Sequence, residues 1–130
     1  MKRKIKFRAW DEDSSQMHYP DSIDTNTGIQ FCHYHGEASR KADPHPVLLH
    51  LTADDLMQYT GLQDKNGKDI YQGDIITVRN EGAYAIVWSE EFGCWHISQG
   101  DGHWMIYEEN KSAVIIGNIY ENPELVDGGR

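Results

Sequence analysis

Cysteine is scarce, with Cys32 and Cys94 the two in 130 residues. Two thiols so far apart do not make the disulfide framework of a small secreted domain, and free thiols are the expectation. Long apolar runs are missing as well. No stretch approaches the ~20 apolar residues of a membrane-spanning helix. The opening MKRKIKFRAWDED places Lys6, Arg8, Asp11, Glu12 and Asp13 where the apolar core of a secretion signal belongs. A cytoplasmic protein with no membrane segment is therefore expected. The chain has no internal repeat and no low-complexity tract, which excludes solenoids and arrays. Positive charge is the last shortage: twelve Lys and Arg stand against twenty-one Asp and Glu, a formal net charge of −9. Five of those bases, Lys2, Arg3, Lys4, Lys6 and Arg8, lie in the first eight residues. The remainder carries seven bases against twenty-one acids, a formal −14. Gripping phosphate takes a dense basic surface, so most of the chain repels duplex nucleic acid.

What is present reads as β-structure. In the N-terminal segment Lys4, Lys6 and Arg8 alternate with Ile5, Phe7 and Ala9. That period of two predicts a half-buried strand with its bases on one face. Short strands are expected at Gln16 to Tyr19 and Ile29 to Tyr34, with a turn at Asp24 to Gly28 and a polar loop at Glu37 to Pro46. Val47 to Leu51 is a brief apolar run. Thr52 with Asp55 resembles a helix-capping box, which leaves open a single helical turn at Asp54 to Gln58. The second half is richer in β-branched and aromatic runs: Ile75 to Arg79, Tyr84 to Ser89, Trp95 to Ser98, Trp104 to Tyr107 and Ala113 to Tyr120. Gly- and Asn-bearing turns separate them, at an interval that suits a sandwich or small barrel.

The stretch LMQYTGLQDKNGKDIYQGDIITV, Leu56 to Val78, carries two turn signals. Asn66-Gly67 is the dipeptide that tolerates positive φ at both central positions of a hairpin. Gly73-Asp74 interrupts an apolar run, where the Gly can turn the chain and the Asp can accept backbone N–H bonds across the bend. The same stretch resembles the signature of the YopX family, small proteins encoded by phages and prophages. The opening KIKFRAWDED and the closing IIGNIYENPEL resemble it too. The resemblance implies an SH3-like β-barrel and a phage or prophage accessory protein of uncharacterised activity, and it carries over no catalytic residues. The expected fold is mainly β: a small SH3-like β-barrel with an N-terminal β-rich extension. The N-terminal β-rich portion is expected over residues 1–55, and the barrel with its C-terminal segment over residues 56–130, possible as one integrated domain.

Four constellations could carry chemistry. Cys32, His35, His45 and His50 have a loosely zinc-like spacing, with ordinary loop histidines as the plainer alternative. Cys94 and His96, with His103 nearby, suggest a thiol–imidazole pair. Residues two apart on a strand stand about 6.6 Å apart, too far for a nucleophile and its base. Adjacent acids such as Asp54-Asp55, Glu90-Glu91 and Glu108-Glu109 read as solvated charge. The aromatics Trp88, Phe92, Trp95, Trp104 and Tyr107 either fill a core or line a surface for a partner. These readings favour a non-enzymatic protein-interaction or self-assembling module that binds no cofactor and no metal. Its expected partners are further copies of itself or a host or phage protein, at Trp88, Trp95, Trp104 and Tyr107. The alternatives are a nucleic-acid-binding accessory protein using Lys2, Arg3, Lys4, Lys6 and Arg8, and an acidic decoy that mimics DNA charge.

Overall fold

The structure, a computed structural model, describes residues 4–19, 22–24, 29–33, 47–51 and 56–127, the segments between 22 and 51 as backbone strands. It is mainly β and divides into two compact units, one formed by Met1–Lys6 with Gln58–Arg130 and the other by Phe7–Met57.

In the smaller unit, β1 (Phe7–Asp11) and β2 (Gln16–His18) form an antiparallel hairpin in which Trp10 faces Met17. The Asp11 carboxylate organises the connection, accepting the Ser14 hydroxyl at 2.6 Å and the Asp13 N–H at 3.2 Å. Those bonds hold its pKa below the ordinary carboxylate value. Three further strands, β3 (Ser22–Asp24), β4 (Ile29–His33) and β5 (Val47–Leu51), pair antiparallel in the order β3-β4-β5. The apolar run Val47–Leu51 is thus a strand with β4 as its neighbour. The turn expected at Asp24 to Gly28 and the loop at Glu37 to Pro46 lie largely or wholly outside the described residues. The alternation in the opening segment is not kept as two clean faces, because Arg8 and Ala9 are both buried.

The main run of the larger unit begins at Gln58, within β6 (Leu56–Gln63), which pairs with β7 (Asp69–Tyr71) across a register shift. Leu56 to Gln58 therefore open a strand, and the helical turn considered there does not form; residues 52–55 lie outside the description. Next come β8 (Asp74–Val78), β9 (Glu81–Ser89), β10 (Cys94–Gln99), β11 (Gly102–Met105) and β12 (Ala113–Asn118). These five make one antiparallel sheet in the order β11-β10-β9-β8-β12, curled into a half-barrel. Ile76, Ile86 and Ile97 with Ile70 and Ala113 form its core, and Leu62, Val78, Tyr84, Trp95, Ile106 and Ile115 pack around them. Full burial of one such isoleucine contributes about 1.5–3 kcal/mol of transfer free energy, and the curl of the sheet is what buries the cluster.

The turns differ from the dipeptide expectation. At Asn66-Gly67 only Gly67 has positive φ, at 79°. The Gly67 N–H donates to the Asp64 carbonyl at 3.0 Å, so the β-turn spans Asp64 to Gly67. The turn with two left-handed central residues lies at Arg79 (φ 53°) and Asn80 (φ 63°), between the paired Val78 and Glu81. That pattern is a two-residue I′ hairpin built without glycine at either central position. Gly73, at φ 87°, turns the chain between β7 and β8. It donates to the Ile86 carbonyl and accepts from the Ile119 N–H, both at 2.9 Å. The buried Asp74 carboxylate accepts the Tyr71 N–H at 2.8 Å across the same bend.

Candidate interaction surface

An open sheet has two edges, and here they are finished differently. On β12 the register shifts between Ile115 and Gly117. Its first residues are covered by the turn after β6: Lys65 N–H donates to the Ala113 carbonyl at 3.0 Å, and Ile115 N–H to Asp64 Oδ2 at 3.3 Å. A bulge and a covering loop are two of the ways proteins blunt an edge. A Cβ at Gly117 would displace the Asn122 side chain, whose oxygen accepts the Asn118 N–H. Among the described residues, strand β11 has neither device. It runs in unbroken register with β10 from Gln99–Gly102 to His96–Met105, and it ends the sheet order. Its sequence, Gly-His-Trp-Met, carries no Lys, Arg, Asp, Glu or Pro.

Around that edge lies exposed apolar surface. Trp104 is 48% exposed, Met105 53% and Tyr107 84%, with Trp88 at 46% two strands further in, on β9. Trp88 faces Trp95 across β9 and β10, rings 5.0 Å apart and edge to face. Trp104 stands 6.0 Å from Tyr84 in the same geometry. Of the four aromatics singled out from sequence, Trp95 belongs to the packing around the core, while Trp88, Trp104 and Tyr107 reach solvent. Met105 escapes a search for aromatics. The signal that points to it is the absence of charge in the strand.

The described bases of the opening segment do not share one exposed face. Lys4 is exposed and Arg8 buried. Lys6 Nζ bonds Asp69 Oδ2 at 2.7 Å and lies 5.0 Å from the Tyr59 ring centre. That bond raises the Lys6 pKa above its ordinary value and, with a second bond from Gln63, lowers that of Asp69. Burial raises that of Tyr59. Lys2 and Arg3 lie outside the described residues.

Of the zinc-like set, Cys32 pairs with Leu48 and His50 with Gln30 in the β4–β5 ladder, while His35 and His45 are not described. Among the described residues no group of three or more His, Cys, Asp or Glu converges to hold a metal. Cys94 and His96 stand on β10 as the spacing requires, with His103 on β11 opposite Ser98. Asp64 was legible only as part of a polar tip. It is 6% exposed and accepts the N–H groups of Asn66 and Lys68 on Oδ1, each at 2.9 Å, as well as that of Ile115.

Fold and surface together define a small, mainly β protein whose five-stranded sheet ends on the exposed strand β11. The family model described as YopX protein matches residues 6–127, and the chain belongs to the YopX family. Among solved structures it is similar to the crystal structure of protein EF1440 from Enterococcus faecalis, at 25% identity and a TM-score of 0.60. That likeness covers 96% of this chain and 99% of the other. No protein of curated function matches. Among the described residues no helix is long and apolar enough to cross a membrane.

Proposed function

We propose that this protein is a non-enzymatic interaction module that self-associates by pairing β11 with β11 of a second copy. The phage or prophage accessory role, in the host cytoplasm, extends the resemblance of the three sequence blocks. One observation carries the self-association: β11 is an uncharged, unbulged edge strand with Trp104 and Met105 exposed on it. Such an edge presents a row of backbone donors and acceptors that a like strand satisfies. Antiparallel pairing of a strand with its own copy is self-complementary, which a two-fold dimer requires. A chain of net charge −9 repels its copies at long range, and a seam through a strand with no Asp or Glu adds no like-charge contact to that repulsion.

Native mass spectrometry and sedimentation of the wild-type protein and of Met105→Lys test this reading. The wild type is expected to be a dimer. Met105→Lys is expected to weaken it at least about tenfold, equivalent to about 1.4 kcal/mol, while Ile116→Lys on the blunted β12 edge leaves it intact. A wild-type monomer at high micromolar concentration, or equal effects of the two lysines, would refute it.

A further inference from the structure

The turn joining β9 to β10 builds one wall of a pocket, and His103 of β11 stands at its other side. Gly93, at φ 63°, returns its N–H to the Ser89 carbonyl at 2.8 Å, and Phe92 N–H meets Ser89 Oγ at 3.2 Å. This folds Phe92 back so that its ring stacks on the His96 imidazole, centres 5.7 Å apart and planes 17° apart. Beside them opens a 320 Å³ pocket whose lining includes Trp88, Glu90, Glu91, Phe92, His96 and His103. Phe92 is 63% exposed, but His96 is only 6% exposed, and its Nε2 is buried with no hydrogen-bond partner among the described residues. Buried polar atoms are normally bonded, and one left over costs stability unless something supplies the partner.

We propose that this pocket receives an arginine side chain of a basic partner protein. Its volume lies at the bottom of the range for ligand sites and suits one side chain. The aromatic rings offer π-faces to a cation, and Glu90 and Glu91 supply the opposite charge. As the Nδ1–H tautomer, His96 presents Nε2 as an acceptor. A guanidinium has five donors in a flat fork, so it stacks on a ring, donates to Nε2 and still reaches a carboxylate, whereas an ammonium cannot do all three. Reaching Nε2 requires part of the wall to turn aside, and Phe92, exposed on its turn, is the side chain placed to do so. The net charge of −9 draws a basic partner in.

The test is an NMR titration of the full chain with N-acetyl-arginine methylamide, its uncharged citrulline counterpart and its lysine counterpart, reading the Trp88 indole and His96 resonances. The arginine compound is expected to bind with a dissociation constant in the millimolar range or below, the lysine compound at least about threefold more weakly, and citrulline not at all. Glu90→Gln/Glu91→Gln and His96→Phe should each weaken arginine binding at least about fivefold. His96→Phe, which replaces the unsatisfied imidazole with an apolar ring, should keep or raise the melting temperature. Equal binding of citrulline or lysine, wild-type affinity in both variants, or no shift at saturating arginine overturns the proposal. Because His103 of β11 lines the pocket, the titration is run on the wild type and on Met105→Lys alike: arginine binding in both upholds the pocket whatever the oligomeric state, and loss in both overturns it while leaving self-association to the mass measurement.

Discussion

Replacing Asp64 should unfasten the turn after β6 and the start of β12 together. Its Oδ1 accepts Asn66 N–H and Lys68 N–H, and its Oδ2 accepts Ile115 N–H from 51 residues further along the chain. Hydrogen bonds to a charged acceptor contribute about 1.5–3 kcal/mol each when the donor has no substitute. All three bonds are partly buried, but Asn66 and Lys68 are exposed residues on the turn, where water replaces much of the loss, whereas Ile115 is half-buried. Asp64→Ala should therefore cost about 2–4 kcal/mol, on the order of a 10–20 °C fall in Tm. Asp64→Asn keeps an acceptor for the turn but turns a donor toward Ile115 N–H, for a loss of roughly 1–2 kcal/mol. Urea denaturation followed by Trp fluorescence gives both values, with an unchanged m-value. An Asp64→Ala protein within about 0.5 kcal/mol of wild type would refute the argument, as would an Asp64→Asn protein as damaged as the alanine variant.

Three other expectations concern turns and charge. Arg79→Asn with Asn80→Gly puts a better pair into the left-handed positions between β8 and β9 and should stabilise by about 0.5–1 kcal/mol; a lower Tm would contradict the I′ assignment. Gly73→Ala forces a Cβ into φ 87° at a buried bend and should cost at least about 1–2 kcal/mol in the same melts; no change would mean the bend relaxes freely. Asp69 has its pKa lowered from 3.8 by its bonds to Lys6 and Gln63. Its contribution is therefore present above pH 3.8 and lost as pH falls through the lower folded value. Asp69→Asn should be less stable than wild type at neutral pH and converge with it in acid; a constant gap down to the lowest pH measured would sink that linkage.

Features that depend on a few neighbouring residues were legible from the chain alone. The strand at Gln16–His18, the bend at Gly73-Asp74 and most second-half strands follow from alternation and turn chemistry, both local properties, while the strand expected at Trp104 to Tyr107 lies at Gly102–Met105, in register with β10. The I′ turn at Arg79-Asn80 was not, because the strongest dipeptide signal, Asn66-Gly67, went to a different turn type once Asp64 took its backbone partners. The aromatics could be named as a surface set, yet only the strand order separated the packed Trp95 from the exposed Trp104.

By itself, the sequence determined that this is a mainly β protein of the YopX family, acidic beyond its first eight residues. Composition, period and motif order are written in the chain. Tertiary structure decided that Arg8 is buried, that Lys6 is held by Asp69, that Asp64 fastens β12, that β11 ends its sheet, and that His96, among the described residues, keeps an unpartnered nitrogen beside a pocket. Each of these depends on which distant segments meet. Contacts between residues tens of positions apart are set by packing and by strand order, and no local pattern encodes either.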